Sequence, residues 1–190
     1  MKFFINKEDR KIQLEEAYAS ACAKVDLLLN SPESCKIVMV ANVYSKNNTT
    51  QVAEKLARTF GERHNNKVLL IDYDLLSTDE IHAGSFKVFQ ITPVYSVAPM
   101  ALHTSNQTPA LTGTYPSLQL ATDELCQTYT HIIINVPRHE KIADAVMLLK
   151  KPMVSIVSVA LCKSRNKDIR KTVELLEMLA IPVLGAIVNE

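Results

Sequence analysis

Polar side chains that could bind a ligand follow several apolar runs of this 190-residue chain. Asp72 and Asp74 come at the end of the run Val-Leu-Leu-Ile. Asn135 closes a run of three isoleucines, and Arg138 and His139 follow it closely. In open α/β sheets, ligands bind at the edge formed by the carboxyl ends of the strands. The two aspartates are therefore candidates for a ligand site, although carboxylates at this position equally cap a turn. For Arg138 and His139 we favour a solvent-exposed loop pair.

The spacing of apolar residues predicts the elements that hold these side chains. Steps of three and four indicate helices at 8–29, 49–60, 118–128, 140–149 and 165–180. Short apolar runs rich in β-branched residues indicate buried strands at 36–41, 68–72, 86–91, 131–135, 153–160 and 183–188. A polar stretch at 98–117 is expected to be a long loop. Alternating strands and helices indicate one α/β domain, 1–190, whose mainly parallel sheet is covered on both faces.

The first helix is expected to pack on or beside that domain as an N-terminal element, 1–32. Its apolar residues recur at steps of three and four, which places them on one face. The members of this stripe are Leu14, Tyr18, Ala21, Val25 and Leu28. Pro32 ends the helix because proline disfavours a helical conformation in the residue before it.

Five segments occur in an order and spacing that together form a specific pattern. They are Glu16-Ala17-Tyr18, Lys36-Ile-Val-Met-Val40, Val68-Leu-Leu-Ile-Asp-Tyr-Asp-Leu75, Ile132-Ile-Ile-Asn-Val-Pro137 and Ile181-Pro-Val-Leu-Gly-Ala-Ile-Val-Asn189. This arrangement resembles the cytoplasmic domain of bacterial tyrosine kinases of the capsule and exopolysaccharide type. Those kinases belong to the MinD and ParA-like branch of P-loop proteins. The resemblance therefore implies a P-loop NTPase-like, three-layer α/β sandwich with a mainly parallel sheet.

The phosphate-binding loop of that fold departs most strongly from the pattern. An active loop reads GxxxxGK[ST], in which glycines let backbone amides cradle the phosphates and lysine neutralises their charge. An ungapped alignment places Val43 and Asn48 at the glycine positions, and Thr49 at the lysine. Only Thr50, at the position of the magnesium-binding hydroxyl, is compatible, and none of the four glycines lies in this segment. Lys46 precedes the helix and would have to reach back, so we favour a solvent-exposed lysine there.

The acidic motifs are kept only in part. By the resemblance, Asp72 and Asp74 correspond to the magnesium and catalytic-base carboxylates, while Asn135 replaces an aspartate that would orient magnesium and so lacks its charge. We therefore predict no catalytic residue, no cofactor and no bound metal. The remnant nucleotide-site positions are Asn48, Thr49, Thr50, Asp72, Asp74 and Asn135. The enzymatic alternative is a kinase or ATPase with an unusual loop that still uses Thr50, Asp72 and Asp74.

Net charge, cysteine spacing and the length of the apolar segments limit the classes of function that we consider. The formal net charge of +1 gives no general attraction to nucleic acid or to anionic lipid. Four cysteines lie far apart without a CxxC pair, which is typical of free thiols in a reducing cytosol. Charges return at 7–10, too early for a signal peptide, and the apolar stretch at 153–162 is too short to span a bilayer. We expect a cytoplasmic protein without direct membrane insertion.

These observations favour a catalytically inactive relative of the capsule-type kinases that regulates or scaffolds polysaccharide export. By the resemblance, its partner would be a membrane protein that controls polysaccharide chain length, or an active kinase paralogue. A degenerate positioning protein of the MinD and ParA type is a further alternative. The arginines that join the family's subunits into rings are replaced here by Ala19 and Cys22, which leaves homo-oligomerisation open.

Overall fold

The computed structural model describes residues 7–29, 35–43, 49–63, 66–73, 75–76, 85–98, 110–136, 141–149 and 153–189. The helices are α1 (Lys7–Leu28), α2 (Thr49–Glu62), α3 (Leu118–Thr128), α4 (Ile142–Leu149) and α5 (Asn166–Met178). The strands are β1 (Lys36–Asn42), β2 (Val68–Asp72), β3 (Ser85–Thr92), β4 (Tyr95–Ala98), β5 (Ala110–Pro116), β6 (His131–Val136), β7 (Met153–Ala160) and β8 (Val183–Asn189).

The strands form one eight-stranded sheet in the order β5-β3-β4-β2-β6-β1-β7-β8. All neighbours from β4 to β8 pair in parallel, and β3 pairs antiparallel with both β4 and β5. The central strands β2, β6 and β1 are apolar along almost their whole length, as expected for strands covered on both faces. The predicted mainly parallel α/β sheet is confirmed.

One end of the sheet differs from the prediction. The polar stretch at 98–117 is not a continuous loop, because 110–116 forms β5 and pairs along β3. The strand at 95–98 was also missed, and it joins β3 through a tight turn at 93–94. Strand pairing across the sheet outweighs the weak strand signal of Ala-Leu-Thr-Gly-Thr-Tyr-Pro. The expected alternation of strands and helices therefore fails in this part of the sheet.

The two faces of the sheet carry separate apolar clusters. Along β1, Ile37 and Met39 point to the cluster that includes residues of α3, α4 and α5. Val38 and Val40 point to the cluster that includes residues of α1 and α2. This alternation follows from the two-residue period of a strand, and it produces the three layers.

Helix α1 packs against α2 through a stripe that differs in one turn from the predicted one. Tyr18, Cys22 and Val25 are buried, whereas Leu28, which the apolar spacing placed on the stripe, is 60% exposed. Steps of four, three and four lead from Tyr18 to Leu29, which packs against the same cluster. The Arg63 guanidinium also donates a hydrogen bond to the Ala19 carbonyl at 2.7 Å. In the described part of the chain, no helix combines the length and apolarity needed to cross a bilayer.

A polar cluster fixes the end of α1 to the sheet. Asp26 Oδ1 lies 2.6 Å from Lys36 Nζ and 3.2 Å from His131 Nε2, at the paired first residues of β1 and β6. Burial lowers the pKa of His131, and the hydrogen bond to Asp26 offsets this only in part. Burial alone would raise the pKa of Asp26, but hydrogen bonds from Lys36 and His131 outweigh it, so the pKa lies below the usual value.

We predict that the stability of the fold decreases as the pH falls from 7 towards 5. Because the folded-state pKa of His131 is lowered, the neutral imidazole stabilises the fold above the unfolded pKa of about 6.5, and this contribution is lost as the pH falls through the folded pKa. His131→Gln keeps a donor for Asp26 without titrating, so its urea midpoint should change less over this range. Equal pH dependence in both proteins would contradict the prediction.

Candidate functional site

Three neighbouring strands bring the candidate residues to one edge of the sheet. In the order β2-β6-β1, Asp72 ends β2, Asn135 lies near the end of β6, and Asn42 ends β1. The register pairs Asp72 with Asn135, and it pairs Asn135 with Val40 of β1. Helix α2 begins at the same edge and carries Thr50 in its first turn. The site is therefore a consequence of parallel pairing between apolar strands of similar length.

The side chains form a continuous line of hydrogen bonds. The Thr50 hydroxyl donates to Asp72 Oδ2 at 2.9 Å. The Asn135 amide donates through Nδ2 to Thr50 Oγ1 at 3.4 Å. Asn42 Nδ2 in turn donates to Asn135 Oδ1 at 2.7 Å. We call Asn42, Asn135, Thr50 and Asp72 the amide relay.

Backbone carbonyls determine which way the amides of the relay point. Asn42 Nδ2 lies 3.1 Å from the Val136 carbonyl oxygen, which accepts only an N–H group. The remaining N–H of Asn42 therefore points to Asn135, and Asn135 accepts this hydrogen bond through Oδ1. The Nδ2 group of Asn135 is consequently the end that faces Thr50 and Asp72. This orientation follows from the hydrogen-bond partners and holds for both side chains together.

The orientation matters for cation binding. Magnesium is bound through oxygen ligands and their waters, and a carboxylate brings the negative charge that the ion requires. At Asn135 the oxygen is taken by Asn42, and an N–H donor occupies the position that faces Thr50. Thr50 Oγ1 accepts that donor, which uses an oxygen lone pair that a cation would otherwise share. The relay therefore presents a hydrogen-bond donor where a metal site needs an acceptor.

Asn42 was not predicted from the sequence. It is 1% exposed, and its Oδ1 atom has no hydrogen-bond partner among the described residues. An unpaired buried acceptor costs about 1–3 kcal/mol, so this residue is held in place by its other contacts. The available signal was a polar side chain directly after the apolar run Ile-Val-Met-Val-Ala, on the strand next to Asn135. That signal becomes informative only when the strand order is known.

The remaining predicted positions are covered only in part. Thr49 is the first residue of α2, and its side chain lies outside the described residues. Asn48 and Asp74 lie outside them as well, as do Arg138 and His139. The structure therefore brings together three of the predicted positions, Thr50, Asp72 and Asn135, and adds Asn42. Within the described ranges, no group of three or more His, Cys, Asp or Glu side chains could hold a metal ion.

A tyrosine follows the relay residue Asp72 directly, and a lysine lies over its ring. Tyr73 directly follows Asp72, is 3% exposed, and donates its backbone N–H to the Asn135 carbonyl at 3.0 Å. Lys141 Nζ lies 5.9 Å from the centre of the Tyr73 ring, in the range of a cation–π contact. Burial, with a smaller contribution from the charge of Asp144, raises the pKa of Tyr73 to about 12. The phenol is therefore neutral at physiological pH, and Tyr73 belongs to the apolar cluster that includes residues of α3, α4 and α5.

Comparisons with known proteins identify the fold. No family model and no curated protein matches the chain. Three solved structures superpose along nearly its whole length, and the first is the BceF tyrosine kinase domain, with 12% sequence identity and a TM-score of 0.59 over 93% of this chain and 75% of that one. The kinase domain of the Escherichia coli tyrosine kinase ETK has 16% identity and a TM-score of 0.61 over 92% of this chain and 74% of that one. The VpsO kinase domain has 17% identity and a TM-score of 0.58 over 97% of this chain and 99% of that one. At these identities the likeness establishes the fold alone. The chain has the P-loop NTPase-like, three-layer α/β fold of tyrosine kinase domains, in agreement with the resemblance seen in the sequence.

Proposed function

We propose that this domain is a non-catalytic relative of the tyrosine kinase domains whose fold it shares. The observation that carries the proposal is the orientation of Asn135, which offers N–H to Thr50 because its oxygen is bound by Asn42. A magnesium-dependent phosphoryl transfer needs an acidic or oxygen ligand there. Rotating Asn135 to offer its oxygen to Thr50 would turn its Nδ2 group towards the N–H of Asn42, and the hydrogen bond of 2.7 Å between the two amides would be lost.

The sequence of the loop segment supports the same conclusion independently. Between residues 43 and 50 there is no glycine, and threonine stands at the position of the phosphate-binding lysine. Charge-assisted hydrogen bonds to phosphate contribute about 1.5–3 kcal/mol each, so the loss of several removes most of the affinity for a nucleotide. An active kinase would need a replacement cation, a replacement phosphate cradle and a replacement metal ligand. A non-catalytic domain needs none of them.

We predict that the protein binds Mg-ATP more weakly than about 1 mM, because the charged contacts and the amide cradle are missing. Calorimetric titration measures this directly. The matched variant combines Val43→Gly, Asn48→Gly, Thr49→Lys and Asn135→Asp, and it should gain affinity because these changes restore the phosphate and magnesium ligands. Asn135→Asp alone serves as the control and should remain weak. A micromolar dissociation constant for the unmodified protein would contradict the proposal and favour the enzyme that uses Thr50, Asp72 and Asp74.

We further propose that the domain regulates or scaffolds capsular or exopolysaccharide export in the cytoplasm. This rests on the resemblance to kinases of the capsule and exopolysaccharide type. A domain that keeps its core and lacks the catalytic groups is retained for its surface. The partner would be a membrane-anchored adaptor that controls polysaccharide chain length, or an active kinase paralogue. The carboxyl edge of the sheet and the exposed face of α1 are the surfaces available for it.

We predict that such a partner binds without nucleotide. Affinity purification from cells, with and without added Mg-ATP, should recover a polysaccharide-export component equally in both conditions. The reason is that a domain that does not bind nucleotide cannot change its partner affinity in response to it. The Asn135→Asp variant is the control: it changes the charge of the relay and so shows whether partner binding depends on the site. Recovery only in the presence of ATP, or recovery of no such component, would contradict the proposal.

A further inference from the structure

The positive charge of the chain is concentrated in one short segment. Between 163 and 171 there are five basic residues and one acidic residue, so nine residues carry +4 while the whole chain carries +1. The segment runs from the turn after β7 into α5, at the same edge of the sheet as the amide relay. All five basic residues are exposed. We call them the basic surface: Lys163, Arg165, Lys167, Arg170 and Lys171.

No anionic side chain in the described residues neutralises this surface. Among the described residues, no carboxylate lies within 4.0 Å of any of the five, the limit for an ion pair. Asp168 is the single acidic residue in the first turn of α5, and the acidic residues of its exposed face come later, at Glu174 and Glu177. The charges of the basic surface are therefore available to an external partner.

The placement of these charges runs against the preferences of a helix. The amino terminus of a helix carries a partial positive charge, which favours anionic side chains and disfavours cationic ones. At α5 the N-cap position is Arg165, which makes no side-chain capping hydrogen bond, and Lys167 follows in the first turn. Serine, threonine, aspartate or asparagine would stabilise this start better. A helix start that departs from these preferences, without a stabilising contact in return, is typical of a surface that serves binding.

Exposed apolar side chains border the basic surface. Leu161 is 51% exposed and Val188 is 52% exposed. The Leu161 N–H donates to the Asn189 carbonyl at 2.6 Å, which holds the turn after β7 beside the end of β8. The apolar and the basic side chains therefore lie at one corner of the domain.

The turn that carries Leu161 is closed by hydrogen bonds and holds one residue in an uncommon backbone conformation. Ala160 and Ser164 close it with two hydrogen bonds of 2.9 Å, one from the Ala160 N–H to Ser164 Oγ and one from the Ser164 N–H to the Ala160 carbonyl. Cys162, at its tip, has a φ of 60°, which is uncommon for a residue with a side chain. Leu161, Cys162 and Lys163 are all exposed on this turn. Strain of this kind persists where the surrounding structure imposes it, and it is common at binding sites.

We propose that this corner is a docking surface for an anionic lipid bilayer. Clustered lysine and arginine side chains are attracted to anionic headgroups, and adjacent apolar side chains enter the boundary between headgroups and acyl chains. The half-exposed Leu161 and Val188 favour a bilayer over nucleic acid, because phosphate backbones are bound by cations and polar groups and offer nothing to an exposed leucine. Contact through this corner would turn the carboxyl edge of the sheet, with the relay, towards the membrane.

This proposal goes beyond the regulatory role and does not depend on it. The net charge of +1 gives no general attraction to lipid, but net charge averages over a surface whose charges are unevenly placed. Excluding the basic segment, the chain sums to −3, so the domain would bind in one orientation. The lipid contact adds to any protein partner and needs neither nucleotide nor a spanning helix.

The test is co-sedimentation of the full chain with vesicles of phosphatidylcholine and of phosphatidylcholine with about 30% phosphatidylglycerol. We expect binding to the second kind only. Lys167→Glu, Arg170→Glu and Lys171→Glu together should weaken it roughly 100-fold, since each basic residue near an anionic surface contributes about fivefold. Leu161→Ser should weaken it about threefold to tenfold without changing its dependence on salt, because it removes an apolar contact.

The matched control reverses the same number of exposed charges elsewhere, with Lys24→Glu, Lys67→Glu and Lys87→Glu. This variant should keep most of the binding, and circular dichroism should find all variants folded. Failure of the unmodified protein to bind anionic vesicles would overturn the proposal. Equal loss in both triple variants would overturn it too, because the attraction would then be unspecific. Binding to duplex DNA with no binding to vesicles would assign the surface to nucleic acid instead.

Discussion

The hydrogen bond of 2.7 Å between Asn42 and Asn135 is the interaction on which the character of the site depends. Both side chains are almost fully buried, so neither amide can replace a lost hydrogen bond with one to solvent water. The Val136 carbonyl fixes Asn42, Asn42 fixes Asn135, and Asn135 then presents a donor to Thr50. A buried polar network is stabilised where donors meet acceptors, as they do from Asn42 Nδ2 to Asp72, although Asn42 Oδ1 has no partner among the described residues. The relay therefore determines the chemistry available at this edge of the sheet.

The parallel pairing of the central strands brings the side chains of the relay together. β2, β6 and β1 are buried on both faces, and their parallel register leaves their carboxyl ends level. Three polar side chains then meet in a region from which water is largely excluded. They must either bind a cation together or satisfy one another. The replacement of aspartate by asparagine, as the family resemblance implies for Asn135, is compatible with the second arrangement and removes the charge that the first requires.

Much of the fold could be predicted from the sequence, because the central strands are short, continuous apolar runs rich in β-branched residues, and their length favours buried strands over helices. The edge at β3, β4 and β5 could not, since the strand at 110–116 depends on pairing with residues twenty or more positions away. At the site, Thr50, Asp72 and Asn135 were identified by a motif, whereas Asn42 matches none and became visible through the strand order. The direction of an amide depends on neighbouring carbonyls, which a sequence does not place.

The most direct test of the account is whether a divalent cation reaches the relay. In nitrogen-15-labelled protein, the side-chain amide signal of Asn135 can be assigned by its loss in the Asn135→Asp variant. Titration with Mn²⁺, which broadens nearby signals and accepts the same oxygen ligands as magnesium, should leave the Asn135 amide sharp up to about 1 mM. In Asn135→Asp the Thr50 backbone amide should broaden at lower concentrations. Saturable broadening of Asn135 in the unmodified protein at micromolar Mn²⁺ would contradict the account, since a cation would then occupy the position assigned to an N–H donor.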